Sequence, residues 1–222
     1  MRILFEDNYL LAIDKPAGLS SESGGARHPS AEKEARGVIS DEGGGDISRR
    51  NRGKSPTYLR AVHRLDRTAS GVLLLAKTKT ALSNLMAQFE RHTVEKVYLA
   101  GVARIPPAGS GTLRHFLKRA PDGKSAEVFD TPVEGSQMAE LSFRVLEKKG
   151  AGGLLEIFPA TGRFHQIRAQ LAHIGCPIDG DTRYGGPFWQ ENAIKLHARR
   201  LRVRHPKSGE MIVLEAPVPE NW

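Results

Sequence analysis

The chain has a single cysteine, Cys176, in 222 residues. One thiol excludes an internal disulfide, and the lack of any cysteine cluster removes the usual thiolate set for zinc. Both absences fit a reducing cytoplasm. Long hydrophobic runs are missing too: none approaches the roughly 20 residues that a membrane helix needs, so no membrane partner is expected. The opening Met1-Arg2-Ile3-Leu4-Phe5-Glu6-Asp7 meets acidic residues too early for a secretory signal. What is present is 39% hydrophobic content, enough core for one large domain or two small ones. A net charge of +8 and a pI near 9.8 suit a polyanionic partner, since each neutralised phosphate releases counterions and adds affinity whatever its sequence.

Apolar patterning predicts the elements. Ile3-Leu4-Phe5 and Tyr9-Leu10-Leu11-Ala12-Ile13 read as two short strands around a turn, stopping at Asp14-Lys15-Pro16-Ala17-Gly18. From Glu22 to Pro56 glycine, serine, arginine and acids dominate, with Val38, Ile39 and Ile47 almost the only aliphatics larger than alanine. Such a stretch offsets little of its ordering entropy by burial, and 22–56 is expected to be a flexible insertion. A solvated, dispensable loop is the favoured reading of it, over a tether for RNA through Arg49, Arg50, Arg52 and Lys54. Leu82, Leu85, Met86 and Phe89 fall at i, i+3, i+4 and i+7, a helix with those four in the core. Strands are expected over 72–76, 96–103, 141–145, 154–158, 201–203 and 211–214, with a second helix from near His165 to Ile174 ended by Gly175. Strands outnumber helices in irregular order, which predicts an α+β fold with a mixed, largely antiparallel sheet.

Two segments carry chemistry. In His63-Arg64-Leu65-Asp66-Arg67-Thr68-Ala69-Ser70-Gly71 one carboxylate sits between two guanidiniums, just ahead of the apolar strand Val72–Ala76. That placement displays an acid at a strand end and favours its ionised form, while arginines of this kind grip phosphates. In Thr161-Gly162-Arg163-Phe164-His165-Gln166-Ile167-Arg168 a turn precedes a helix whose first turns hold Arg163, His165 and Arg168. His165 and His173 are eight positions apart, too far for joint ligation, and no metal is expected. His63 suits a loop hydrogen bond better than general base work. Gly53-Lys54-Ser55 resembles the end of a phosphate-binding loop, but Ser48 replaces its first glycine and no strand precedes it.

Four separated segments together resemble the RluA family of RNA pseudouridine synthases: Asp14-Lys15-Pro16-Ala17-Gly18, the run from His63 to Gly71, Lys96-Val97-Tyr98-Leu99-Ala100, and Thr161 through Gly180-Asp181 to Tyr184-Gly185. They follow the family's order, and Leu196-His197-Ala198 and His205-Pro206 fit its tail. The resemblance implies a single catalytic domain over 1–222 with the pseudouridine synthase fold. It implies isomerisation of uridine within RNA: the bond from C1′ to N1 breaks, the base turns, and C1′ rejoins at C5. Asp66 matches the catalytic aspartate, as nucleophile at the sugar or as base for a sugar proton. Arg168 matches the active-site arginine expected to pair with it, and Tyr98 the tyrosine that stacks on the uracil. Arg64 resembles the residue that enters the stack vacated by the flipped base. Arg67, Arg163 and Lys15 are RNA contacts or supports. No redox change occurs, so no cofactor is implied. Ala69 stands where many relatives have threonine, which should alter a loop hydrogen bond and leave the chemistry intact.

The expected partner is a structured RNA, a tRNA or ribosomal RNA stem-loop, where flipping is cheaper. No obligate protein partner follows. The chain starts directly with the catalytic region, so target choice is expected to rest on it. The competing reading is a non-catalytic RNA-binding or RNA-folding protein on the same scaffold; an enzyme on free nucleosides makes poor use of the positive charge.

Overall fold

A computed structural model describes residues 1–22, 29–41, 58–220 and 222. The strands are β1 (Arg2–Glu6), β2 (Leu10–Lys15), β3 (Arg60–Ala61), β4 (Ser70–Ala76), β5 (Glu95–Val102), β6 (Ser110–Arg119), β7 (Ala126–Phe129), β8 (Gln137–Lys149), β9 (Gly152–Pro159), β10 (Leu196–Arg204) and β11 (Met211–Glu215). The helices are α1 (Ala31–Asp41), α2 (Lys79–Glu90) and α3 (Gln166–His173), with a 3₁₀ turn at Thr182–Tyr184. Strands with few helices make the α+β class expected above. The chain divides into two compact units, Met1–Val94 with Arg200–Pro217, and Glu95–Arg199 with Val218–Trp222.

In the first unit β2 pairs antiparallel with both β1 and β4, and β11 with residues 200–204 of β10. Leu10 and Ala12 on β2, Val72 and Leu74 on β4, Leu201 and Val203 on β10, and Leu214 on β11 point to one face, the period-2 alternation of paired strands. Helix α2 covers that face. The Thr78 hydroxyl caps its N-terminus by accepting from the Ala81 amide at 3.1 Å. Ala81 and Leu85 are buried, with Leu82 and Phe89 packed partly against them. Met86 is 51% exposed, against the expectation of core; its position lies at the edge of the apolar stripe, where a flexible thioether tolerates solvent.

The expected flexible insertion is corrected over residues 29–41, which include α1. Alanines rather than large aliphatics serve as its buried face, at Ala31 and Ala35. Polar bonds supply the rest: the Glu32 carboxylate accepts from the Ala61 amide at 2.7 Å and from Arg60 at 3.4 Å, and the Arg36 guanidinium donates to the Leu59 carbonyl at 2.5 Å. Low aliphatic content excludes a large apolar contact and leaves this kind of docking open. Arg49, Arg50, Arg52 and Lys54 lie outside the described residues.

The second unit runs β5-β9-β8-β6-β7, each neighbouring pair antiparallel. Strand β6 went unforeseen because His115 occupies an inward position, between Leu113 and Leu117, and breaks the apolar alternation, and β7 is only four residues long. Helix α3 buries Ile167, Ala169 and Leu171, and Gly175 ends it at φ 74°, a left-handed position that suits glycine.

Candidate active site

The Asp66 turn belongs to the first unit. Its main chain closes on itself, the Ala69 amide donating to the Asp66 carbonyl at 3.1 Å. It then enters β4 through Gly71, at φ 109°, a conformation that side chains with a Cβ rarely adopt. Leu65 and Ala69 are buried while Asp66 is half-buried, so the carboxylate stands at the surface on a loop rooted at both ends. Arg64 and Arg67 on either side are exposed.

What roots the loop is the segment from Lys15 to Ser21. The Lys15 ammonium is fully buried and donates to the carbonyls of Pro16 (2.9 Å), Leu19 (2.8 Å) and Ala69 (2.6 Å), with that of Arg67 at 3.5 Å. The Gly18 amide donates to the same Arg67 carbonyl at 2.7 Å. The Ser21 hydroxyl bonds Leu65 twice, donating to its carbonyl and accepting from its amide, each at 2.9 Å. Alternate carbonyls of the loop, at 65, 67 and 69, are thus all held from one side. Ser20 and Ser21 in turn accept from the first amides of α1, those of Ala31 (2.7 Å) and Glu32 (3.4 Å). Burial pushes the Lys15 ammonium down from 10.5 to about 8, with the Asp66 and Asp14 carboxylates acting against that shift. Lys15 supports the loop and has no exposed surface to offer RNA. The bond at residue 69 uses the carbonyl, so alanine there serves as well as threonine.

His63 closes the other side. Its Nε2 accepts from the Leu74 amide at 3.2 Å and its ring stacks on Phe89 at 4.8 Å. An Nε2 that accepts a main-chain hydrogen bond is engaged in holding the loop to β4.

In the second unit Tyr98 is half-buried on β5, opposite Ile157 of β9. Arg168 is 5% exposed on α3 and forms a two-pronged pair with buried Asp181, Nε to Oδ2 at 2.7 Å and NH2 to Oδ1 at 2.8 Å. This fork geometry makes a strong, directed contact. Its NH1 donates to His165 Nε2 at 2.9 Å, which fixes the proton of a neutral His165 on Nδ1, facing the Tyr184 hydroxyl at 3.0 Å. That hydroxyl also accepts from the Ala126 amide at 2.7 Å. His165 adopts φ 52°, a strained conformation for a residue other than glycine. The preceding turn is closed by Gln166, whose Oε1 accepts from the Thr161 hydroxyl (2.7 Å) and the Arg163 amide (2.9 Å). Arg163 itself extends outward, its Nε donating to the Met138 carbonyl at 3.1 Å.

Sequence reading missed Asp181, Ser21 and the bracing role of His165. A signal existed for Asp181, an acid inside the long matching block. Ser21 carried none, since its partner Leu65 is 44 residues away.

Among the described residues one cluster has metal-like composition: His115, Asp130 and His173, with candidate ligand atoms within 4.8 Å of one another. Its wiring opposes ligation. The Gln170 Nε2, oriented by the Ala139 (3.2 Å) and Leu113 (3.4 Å) carbonyls, donates to His115 Nδ1 at 3.0 Å. Neutral His115 therefore carries its proton on Nε2, the nitrogen facing Asp130 at 3.9 Å, and a metal needs that nitrogen bare. Burial also lowers the His115 pKa, with His173 adding to the shift and Asp130 opposing it.

Comparison with known proteins identifies the family. The sequence family described as RNA pseudouridylate synthase matches residues 9–173. An uncharacterized RNA pseudouridine synthase of Chlorobaculum parvum is 35% identical over 240 residues, covering 99% of this chain and 71% of that one. The ribosomal large subunit pseudouridine synthase C of Yersinia pestis is 35% identical over 223 residues, covering 97% of this chain and 65% of that one. In structure, human RNA pseudouridylate synthase domain containing 4 superposes with a TM-score of 0.76 at 23% identity, over 99% of this chain and 89% of its own, which shows the shared fold. The chain belongs to the RNA pseudouridylate synthase family, isomerases that act on RNA. No helix among the described residues is long and apolar enough to cross a membrane.

Proposed function

We propose that this protein isomerises uridines of structured RNA to pseudouridine with Asp66 as the reacting carboxylate. The observation that carries the proposal is the anchoring of the Asp66 turn. A half-buried acid sits on a loop whose carbonyls at 65, 67 and 69 are all bonded, the pre-organisation that a reacting group requires. Asp66 either attacks C1′ or removes a sugar proton; in both routes the glycosidic bond breaks, the uracil turns, and C5 bonds to C1′ as its proton leaves. Arg64, exposed beside Asp66, enters the stack left by the flipped base. Tyr98 and Arg168 take the uracil-stacking and active-site arginine roles that the family resemblance gives them. The chemistry is redox-neutral and needs no metal or organic cofactor, and the protein works in the cytoplasm on tRNA or ribosomal RNA stem-loops. Large-subunit ribosomal RNA is the first target to try, because the Yersinia pestis relative is named for it.

Mapping pseudouridine at single-nucleotide resolution in total tRNA and ribosomal RNA, incubated with wild type or Asp66→Ala, tests this. Sites made by wild type alone establish the reaction and name the target. Tight RNA binding with no new site over a broad panel refutes catalysis in favour of a non-catalytic RNA-binding protein.

A further inference from the structure

A second feature of the surface has no place in that chemistry. In the second unit a cavity of about 230 Å³ opens between the end of β6, the start of β8 and the turn before α3, lined among others by Lys118, Arg119, Gly135, Gln137, Arg163 and Phe164. Three cations face it, and no carboxylate lines it. Arg114, Arg144 and Lys195 of this unit are paired with Glu140 at 2.7 Å, Glu156 at 2.5 Å and Asp179 at 3.4 Å, whereas Lys118, Arg119 and Arg163 gather round one cavity. Lys118, Arg119 and Arg163 take part in no ion pair among the described residues. Glu127 stands opposite Lys118 in the β6–β7 ladder, yet the lysine leans over Gly135, its Nζ 3.7 Å from where a Cβ would sit. Gly135 is also held at φ 75°, so both conformation and space at this position suit glycine. Like charges gathered without acids favour an anion between them.

The aromatic ring defines which anion. Arg119 lies on Phe164 with Cζ 4.0 Å from the centroid, and His165 stacks on it at 3.8 Å and 18°. Two groups so close to one centroid occupy opposite faces, which leaves none for a nucleobase. Guanidinium edges and an ammonium remain, the groups that grip phosphate. We propose that this pocket is a backbone-phosphate subsite, taking a phosphodiester of the substrate RNA outside the reacting nucleotide through Lys118, Arg119 and Arg163. It rests on the RNA reading above. The bound phosphate also braces a column: Phe164 stacks on His165, which accepts from Arg168.

The test is RNA binding by the full chain over a salt series, with a labelled transcript of the large-subunit ribosomal RNA. Replacing both cations, in Lys118→Gln/Arg163→Gln, should weaken binding several-fold at about 0.1 M salt and lower the slope of log Kd against log salt by about 0.7–0.9 for the lost phosphate. Restoring the first charge in Lys118→Arg/Arg163→Gln should recover part of both. An unchanged slope in a folded double variant overturns the subsite. Should that variant not fold, wild type decides: inorganic phosphate must shift the Gly135 and Phe164 amide resonances and compete with the RNA, and absence of either effect overturns it. Wild type that makes pseudouridine with no slope change in the variant refutes the subsite alone. Wild type that makes none, yet loses slope in the variant, refutes the catalytic reading and leaves the subsite standing.

Discussion

The turn carrying Asp66 and the turn carrying Arg168 are held by opposite means. The first is gripped chiefly through its main chain: one buried ammonium, one serine and one glycine amide bond its carbonyls, and the His63 ring adds a bond from the Leu74 amide. The second is gripped by side chains in series, Asp181 to Arg168 to His165 to Tyr184. A main-chain grip fixes the path of the loop through its carbonyls. A side-chain chain fixes the direction of one guanidinium and makes it dependent on every link. Substitutions should therefore separate the two: in the first turn the reacting residue can be removed at little cost to the fold, whereas in the second removal of any link damages both.

The largest expected effect is catalytic. Asp66→Ala should reduce pseudouridine formation by at least about 10³-fold, measured in single-turnover assays, while its melting curve stays close to wild type; a collapse in stability would mean that the carboxylate also holds the loop. Next comes Asp181→Ala, which leaves a buried guanidinium without its partner. Breaking such a pair costs about 3–5 kcal/mol, to be read from urea unfolding, and the double variant with Arg168→Met should recover part of that loss. Lys15→Met leaves several loop carbonyls unbonded and should cost about 2–4 kcal/mol, with turnover falling although no substrate contact is removed.

Lys15 also sets a pH dependence. Its folded value of about 8 lies below the ordinary 10.5, so between these limits the unfolded chain holds more protons and stability rises with pH. The penalty for keeping a buried ammonium is full below about pH 8 and fades towards 10.5. Lys15→Met should flatten that rise in unfolding free energy; an equal slope in both proteins would assign it to other groups. The smallest effect is Tyr184→Phe, which takes one acceptor from both the Ala126 amide and His165 and should cost about 1–2 kcal/mol, seen in thermal melts.

Much of this was legible before any coordinates. The strand-end acid, the helix from 166 and its glycine stop follow from local pattern, and β1, β2, α2, β5, β8, β9 and β11 lie where apolar spacing puts them. Local pattern failed wherever the stabilising partner was remote and polar. Helix α1 was read as flexible because its docking uses Glu32 and Arg36 in place of large aliphatics, and β6 was hidden by inward-facing His115. The reach of Lys15 to carbonyls 52 and 54 residues away has no trace in the spacing of its own segment.

The residues alone determined which groups are available for chemistry, because a carboxylate between guanidiniums and a glycine that tolerates positive φ are local properties of the chain. Only the tertiary structure decided how those groups are held. Burial and hydrogen-bond partners come from segments distant in sequence: they bring the Lys15 ammonium to about 8, bind Arg168 to Asp181, and leave three cations around one pocket with no acid among its lining residues.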